Sequence, residues 1–133
     1  MKHLISSTLL LACVAFPATG RIHIQLDMAA IQERNAAKHR DLVATIRAVD
    51  LKAGVTQLQA DAIAQVYFQR YISGCGAAAP AVDHGYAWRV TPLMGIAGTP
   101  DQNPIVIEKR TGKVSWANGP VFATVTELLA GAP

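Results

Sequence analysis

The sequence predicts an α+β fold in which helices precede a roughly three-stranded antiparallel meander and a short helix closes the chain. Three observations carry this reading. Apolar residues recur at helical spacing between Met28 and Tyr71, the period changes to two from Tyr86 onward, and a capping-box pattern appears at Thr56 and again at Thr124. Strands grouped after helices favour α+β over alternating parallel βαβ units. Of the 133 residues, 51% are hydrophobic and 16% charged, a balance that supports a packed core rather than a disordered chain.

The chain starts with Met1-Lys2-His3, an apolar run from Leu4 to Phe16, and Pro17-Ala18-Thr19-Gly20. A short basic start, an apolar stretch too short to span a bilayer and a small-x-small ending read as a secretory signal. Ala18 and Gly20 suit the −3 and −1 pockets of a signal peptidase. Residues 1–20 are therefore expected to be the signal, and residues 21–133 a single α+β domain released into the periplasm. Leu10-Leu11-Ala12-Cys13 also matches a lipobox, so the alternative is a lipoprotein anchored in the membrane through Cys13. Twelve Lys and Arg face nine Asp and Glu, and removal of Lys2 leaves a charge near +2. These charges are dispersed and form no basic stripe, which argues against nucleic acid as a partner.

Ile22, Ile24 and Leu26 alternate with polar neighbours, as in a short strand or an extended lead-in. Asp27 is placed to cap a first helix over about residues 27–49, with Met28, Ile31, Leu42, Val43, Ile46 and Val49 on its apolar side. Its middle, Asn35 to His39, is weakly apolar, so this helix is expected to break or to be partly detached. The second helix runs from Thr56 to Ser73. Thr56 and Gln59 make its capping box, and Leu58, Ala62, Ile63, Val66, Tyr67 and Tyr71 form its stripe. Asp61 is read in its first turn and Arg70 in its last, each at the end the helix dipole favours. Gly74 is expected to end it as a C′ residue at positive φ.

Gly74 to Gly85 reads as a glycine- and alanine-rich loop. Tyr86, Trp88 and Val90 alternate as the buried face of a strand, and Pro92 limits its pairing or marks an edge. Gly95 to Pro100 is a loop, and Pro104 to Lys109 a strand with Ile105 and Ile107 on one face. Arg110-Thr111-Gly112 turns the chain into a third strand, Lys113 to Trp116, with Gly112 at positive φ. Thr124 to Glu127 caps the last helix. The second helix is expected to cover one face of the three-stranded sheet.

Cys75, Asp83 and His84 make the tightest group of reactive side chains. A thiol after a helix C-terminus lies at the dipole end that disfavours thiolate, and the group lacks metal-ligand spacing. The bland reading of Cys75 is a half-buried thiol in a tight turn, with a functional thiol or an intermolecular disulfide as the alternatives; a homodimer is left open. His23 and His39 read as solvated. Trp88 and Trp116 read as packing residues before they read as a ligand platform. No catalytic, metal or cofactor residue is assigned, and an enzyme is not expected.

Ala62-Ile63-Ala64, Tyr67-Phe68, Tyr71-Ile72, Gly74-Cys75-Gly76, Tyr86-Ala87-Trp88-Arg89-Val90, Gly95-Ile96-Ala97-Gly98 and Ile105 to Val114 follow a recognisable plan. It resembles small exported bacterial immunity-type proteins with a nuclear-transport-factor-like α+β fold, over Asp61 to Trp116. The peptidase-inhibitor-like PepSY module, with its helix, strand and Thr-Gly-Lys-Val hairpin, competes for the same residues. The immunity resemblance implies a periplasmic binding protein that neutralises a co-encoded secreted effector, a peptidoglycan- or lipid-directed hydrolase, by occluding its active site. The PepSY alternative implies an envelope peptidase inhibitor or a structural module. Contacts are expected from residues 74–85, 95–103 and 108–113, with Asp83, His84, Asp101 and Arg110 as partner-binding residues.

Overall fold

The computed structural model describes residues 17–130, with side chains described from Asp27 onward. The apolar run and Cys13, on which the signal and lipobox readings rest, lie outside the described residues, as does the side chain of His23. Contacts divide the described residues into two units, with the boundary between Asn35 and Ala36. The architecture is α+β, with N-terminal helices, a multi-stranded antiparallel region and a short C-terminal helix.

Helix α1 spans Pro17–Arg47. The expected strand at 21–26 is therefore helical, and Asp27 lies inside α1 rather than capping it. A six-residue alternation is too brief to compete with cooperative helix propagation through an Ala- and Arg-rich sequence. The helix is continuous through Asn35–His39, although the unit boundary falls there. Met28 and Ile31 are exposed, and Ile46 is the buried residue of the apolar side.

Helix α2 covers Gln57–Tyr67 and carries the expected box: Thr56 Oγ1 accepts from the Gln59 amide, and Gln59 Oε1 from the Thr56 amide. Its end differs from expectation. A π-helical turn, Phe68–Ile72, follows directly, and the Ser73 amide bonds the Phe68 carbonyl at 3.0 Å. Ser73 then leaves in extended conformation (φ −159°), so the helical path stops before Gly74, which has no positive φ. Tyr67 and Phe68, at the junction of α2 and the π-helical turn, are both buried. Leu58, assigned to the stripe, is 71% exposed. Asp61 lies beyond the first turn, because α2 starts at Gln57.

The single meander expected from the sequence is two sheets. One has the order β1 (Gly76–Ala78), β4 (Pro92–Met94), β5 (Thr99–Pro100). The other has the order β2 (Val82–His84), β3 (Ala87–Val90), β6 (Ile105–Glu108), β7 (Val114–Ser115). Strands β3, β6 and β7 are the meander the sequence reads, and Gly112 closes its last turn at φ +70°. Val90 opposite Ile105, and Trp88 opposite Ile107 opposite Val114, form the face that α2 covers with Ile63, Val66 and Tyr67. Pro92 marks the point where the chain leaves one sheet for the other: Val90 pairs with β6, and Pro92 with Ala78 of β1.

Residues 74–85, read as loop, hold β1 and β2, and residues 99–100 of the next loop are β5. The connection from β1 to β2 is held by three α2 side chains four residues apart. The Gln57 amide donates to the Ala81 carbonyl at 2.9 Å, Asp61 Oδ1 accepts from the Ala81 amide at 2.7 Å, and Gln65 Oε1 accepts from the Ala78 amide at 3.1 Å. Small alanines let the backbone lie close enough for these bonds. At the C-terminus, α3 (Val125–Ala130) keeps half of its box: Thr124 Oγ1 accepts from the Glu127 amide, but Glu127 bonds the Ala123 amide instead of Thr124.

Candidate functional site

Strands β2 and β3 form a hairpin with a two-residue turn, Gly85-Tyr86, closed by the pairing of His84 with Ala87. Gly85 stands at φ +74°, which such turns require and a side chain resists. The Asp83 carboxylate accepts from the Gly85 amide at 2.8 Å and steadies the turn. Asp83 and His84 therefore lie on a strand rather than in a loop, and both are exposed.

A cation ties this hairpin to its neighbour. Lys109 Nζ donates to Asp83 Oδ1 at 2.6 Å and stands 4.4 Å over the Trp88 ring. The same residue bonds the backbone twice, its carbonyl accepting from Val55 at 2.8 Å and its amide donating to Tyr86 at 3.0 Å. The Trp88 indole N–H donates to the Val55 carbonyl at 2.7 Å. The Lys109 hydrogen bond, followed by that of the Gly85 amide, holds the Asp83 carboxyl below its ordinary value of 3.8.

The other two expected contact residues sit differently. The Arg110 guanidinium donates to the Lys52 carbonyl at 2.7 Å, fastening the β6–β7 turn to the loop between α1 and α2. Asp101 follows β5 in the other sheet, where its carboxylate accepts from the Asn103 amide at 2.7 Å. Asp83 and His84 are adjacent, and Lys109 brings the β6–β7 turn to them. Among the described residues no hydrogen bond or ion pair joins Asp101 to the other three.

Cys75 is exposed, not half-buried, because it precedes β1 at a sheet margin. Its amide donates to Ser73 Oγ at 3.0 Å, and its carbonyl accepts from that hydroxyl at 2.8 Å. No hydrogen bond links its thiol to Asp83 or His84, which lie in the other sheet. Among the described residues no group of three His, Cys, Asp or Glu side chains is placed to hold a metal ion.

The sequence reading missed the exposed apolar side chains here. Tyr86, expected in the core, is 71% exposed, and Val82 is 57% exposed. The signal was available in Asp83-His84-Gly85-Tyr86: an Asp two residues before a Gly marks a tight turn and puts Tyr86 in it. Elsewhere, Leu58 lines a groove of about 340 Å³ between α2 and the segment of α1 around Leu42. Comparison with family models, with curated proteins and with solved structures found no match for the chain.

Proposed function

We propose that the chain is an exported binding protein of the immunity kind, which neutralises a co-encoded secreted hydrolase by covering its active site. One observation carries this reading. The β2–β3 hairpin presents Val82 and Tyr86 to solvent beside Asp83 and His84, and Lys109 holds it in place. A tyrosine on a stiff hairpin offers a large contact at little ordering cost, and the adjacent Asp83–Lys109 ion pair gives direction. The sequence-level reasons are the signal-like start and a helix-then-meander plan that resembles that of immunity-type proteins.

Co-expression with the neighbouring exported gene product tests the reading. The protein should capture that product and rescue cells from its toxicity, and Tyr86→Ala should weaken capture at least roughly tenfold, as truncation of a central anchor does. Failure to bind any co-encoded exported protein discards the immunity reading. Intact mass of the exported form tests the location: a terminus at Arg21 supports release, and a lipidated Cys13 terminus supports anchoring.

A further inference from the structure

We propose that the outer face of the four-stranded sheet carries a binding site for an organic carboxylate, with Arg89 as the anion receptor and Trp116 as the apolar wall. The site does not depend on the partner protein proposed above. Strand register sets its geometry: Arg89 pairs with Val106, and Val106 with Ser115, so the three side chains share one row on the face turned away from α2. Asn103, Pro104 and Trp116 complete a shallow cavity of about 400 Å³, large enough for a small ligand or a chain terminus.

Arg89 is exposed, and among the described residues it makes no hydrogen bond, ion pair or ring contact. Its planar fork of donors matches a carboxylate in bidentate geometry. Glu108 is the acidic group on the same face, one row along, and its carboxylate accepts from Thr111 Oγ1 at 2.7 Å. The Trp116 indole N–H donates to the Asn103 carbonyl at 2.9 Å, while the Asn103 amide is held by Asp101. The ring and the Asn103 backbone are thus fixed before any ligand arrives. Val106 and Pro104 add apolar surface, and the Ser115 hydroxyl adds a donor. The complementary ligand has a carboxylate next to a compact apolar group, as in an acylated amino acid or a peptide C-terminus.

The test is a two-dimensional NMR titration of the purified protein with N-acetyl-leucine, its uncharged amide, and a hexapeptide ending in leucine with a free or amidated terminus. The acid should give saturable shifts at the Trp116 indole and at the Val106 and Ser115 amides, and the amide should not. Arg89→Gln should weaken the response roughly tenfold or more, and Arg89→Lys, which keeps charge but loses the fork, should fall between. Tighter binding of the free-terminus peptide assigns the ligand to chain ends, and equal or tighter binding of N-acetyl-leucine assigns it to small carboxylates. No saturable shift, an equal response to the amides, or wild-type binding by both variants overturns the proposal.

Discussion

The hydroxyl of Tyr67 donates a 2.7 Å hydrogen bond to the carbonyl of Pro120, 53 residues further along the chain. It fastens the segment after β7 to the core, where Tyr67 also meets the rings of Tyr71 and Phe122. Burial pushes the phenol up from 10.0 to about 12, with the neighbouring Tyr71 adding to the shift. Because the folded value lies above the unfolded one, this contribution to stability is complete below pH 10 and is lost as pH rises through about 12. Denaturant melts should therefore show wild type losing stability between those values, and Tyr67→Phe losing less. At neutral pH the same substitution should cost about 1–2 kcal/mol, because it leaves the Pro120 carbonyl short of its donor.

Ile63 is fully buried between α2 and the four-stranded sheet. Ile63→Ala should cost about 2–4 kcal/mol through lost transfer energy and the cavity left behind. Urea unfolding checks this, and a change below about 0.5 kcal/mol would place the side chain at the surface.

Two nearby glycines should respond differently to alanine. Gly76 stands at φ +120°, and a Cβ there would collide with the Leu93 carbonyl and the Phe68 ring. Gly74 has ordinary φ and open space around it. Gly76→Ala should cost about 1–3 kcal/mol or more, and Gly74→Ala should change stability little, as thermal melts of the pair will show.

The Asp83 carboxyl should titrate below 3.8, followed by carbon NMR of its side chain. Lys109→Met should return it most of the way, leaving the smaller effect of the Gly85 amide. Since the folded value is the lowered one, this pairing favours the fold above the unfolded value and is lost as pH falls through the folded value. An unchanged titration in Lys109→Met would show that the pair does not persist in solution.

Much of the fold was legible wherever local chemistry and packing agree. The Thr56 box, the Ile105/Ile107 face, the Gly112 turn and the order of helices before strands follow from periods of 3.6 and 2 and from residues with few conformational options. Of the candidate site, Asp83 and His84 could be named from the sequence, but not their place on a strand, nor the Lys109 that steadies it.

The sequence by itself determined the α+β class, the second helix, its start and the strands β3, β6 and β7 of the meander, since each is written in local periodicity and in cap and turn residues. Only the tertiary structure decided that 74–85 forms strands in two sheets, because its bonds come from Gln57, Asp61 and Gln65 and from β3 and β4. It also decided that Tyr86 and Leu58 face water, that Arg110 bonds the Lys52 carbonyl, and that Arg89, Val106 and Ser115 share one row. Such pairings depend on register and on which elements meet across the core. Alternation along one strand tells its two faces apart, but the partners that cover each face are set by distant segments.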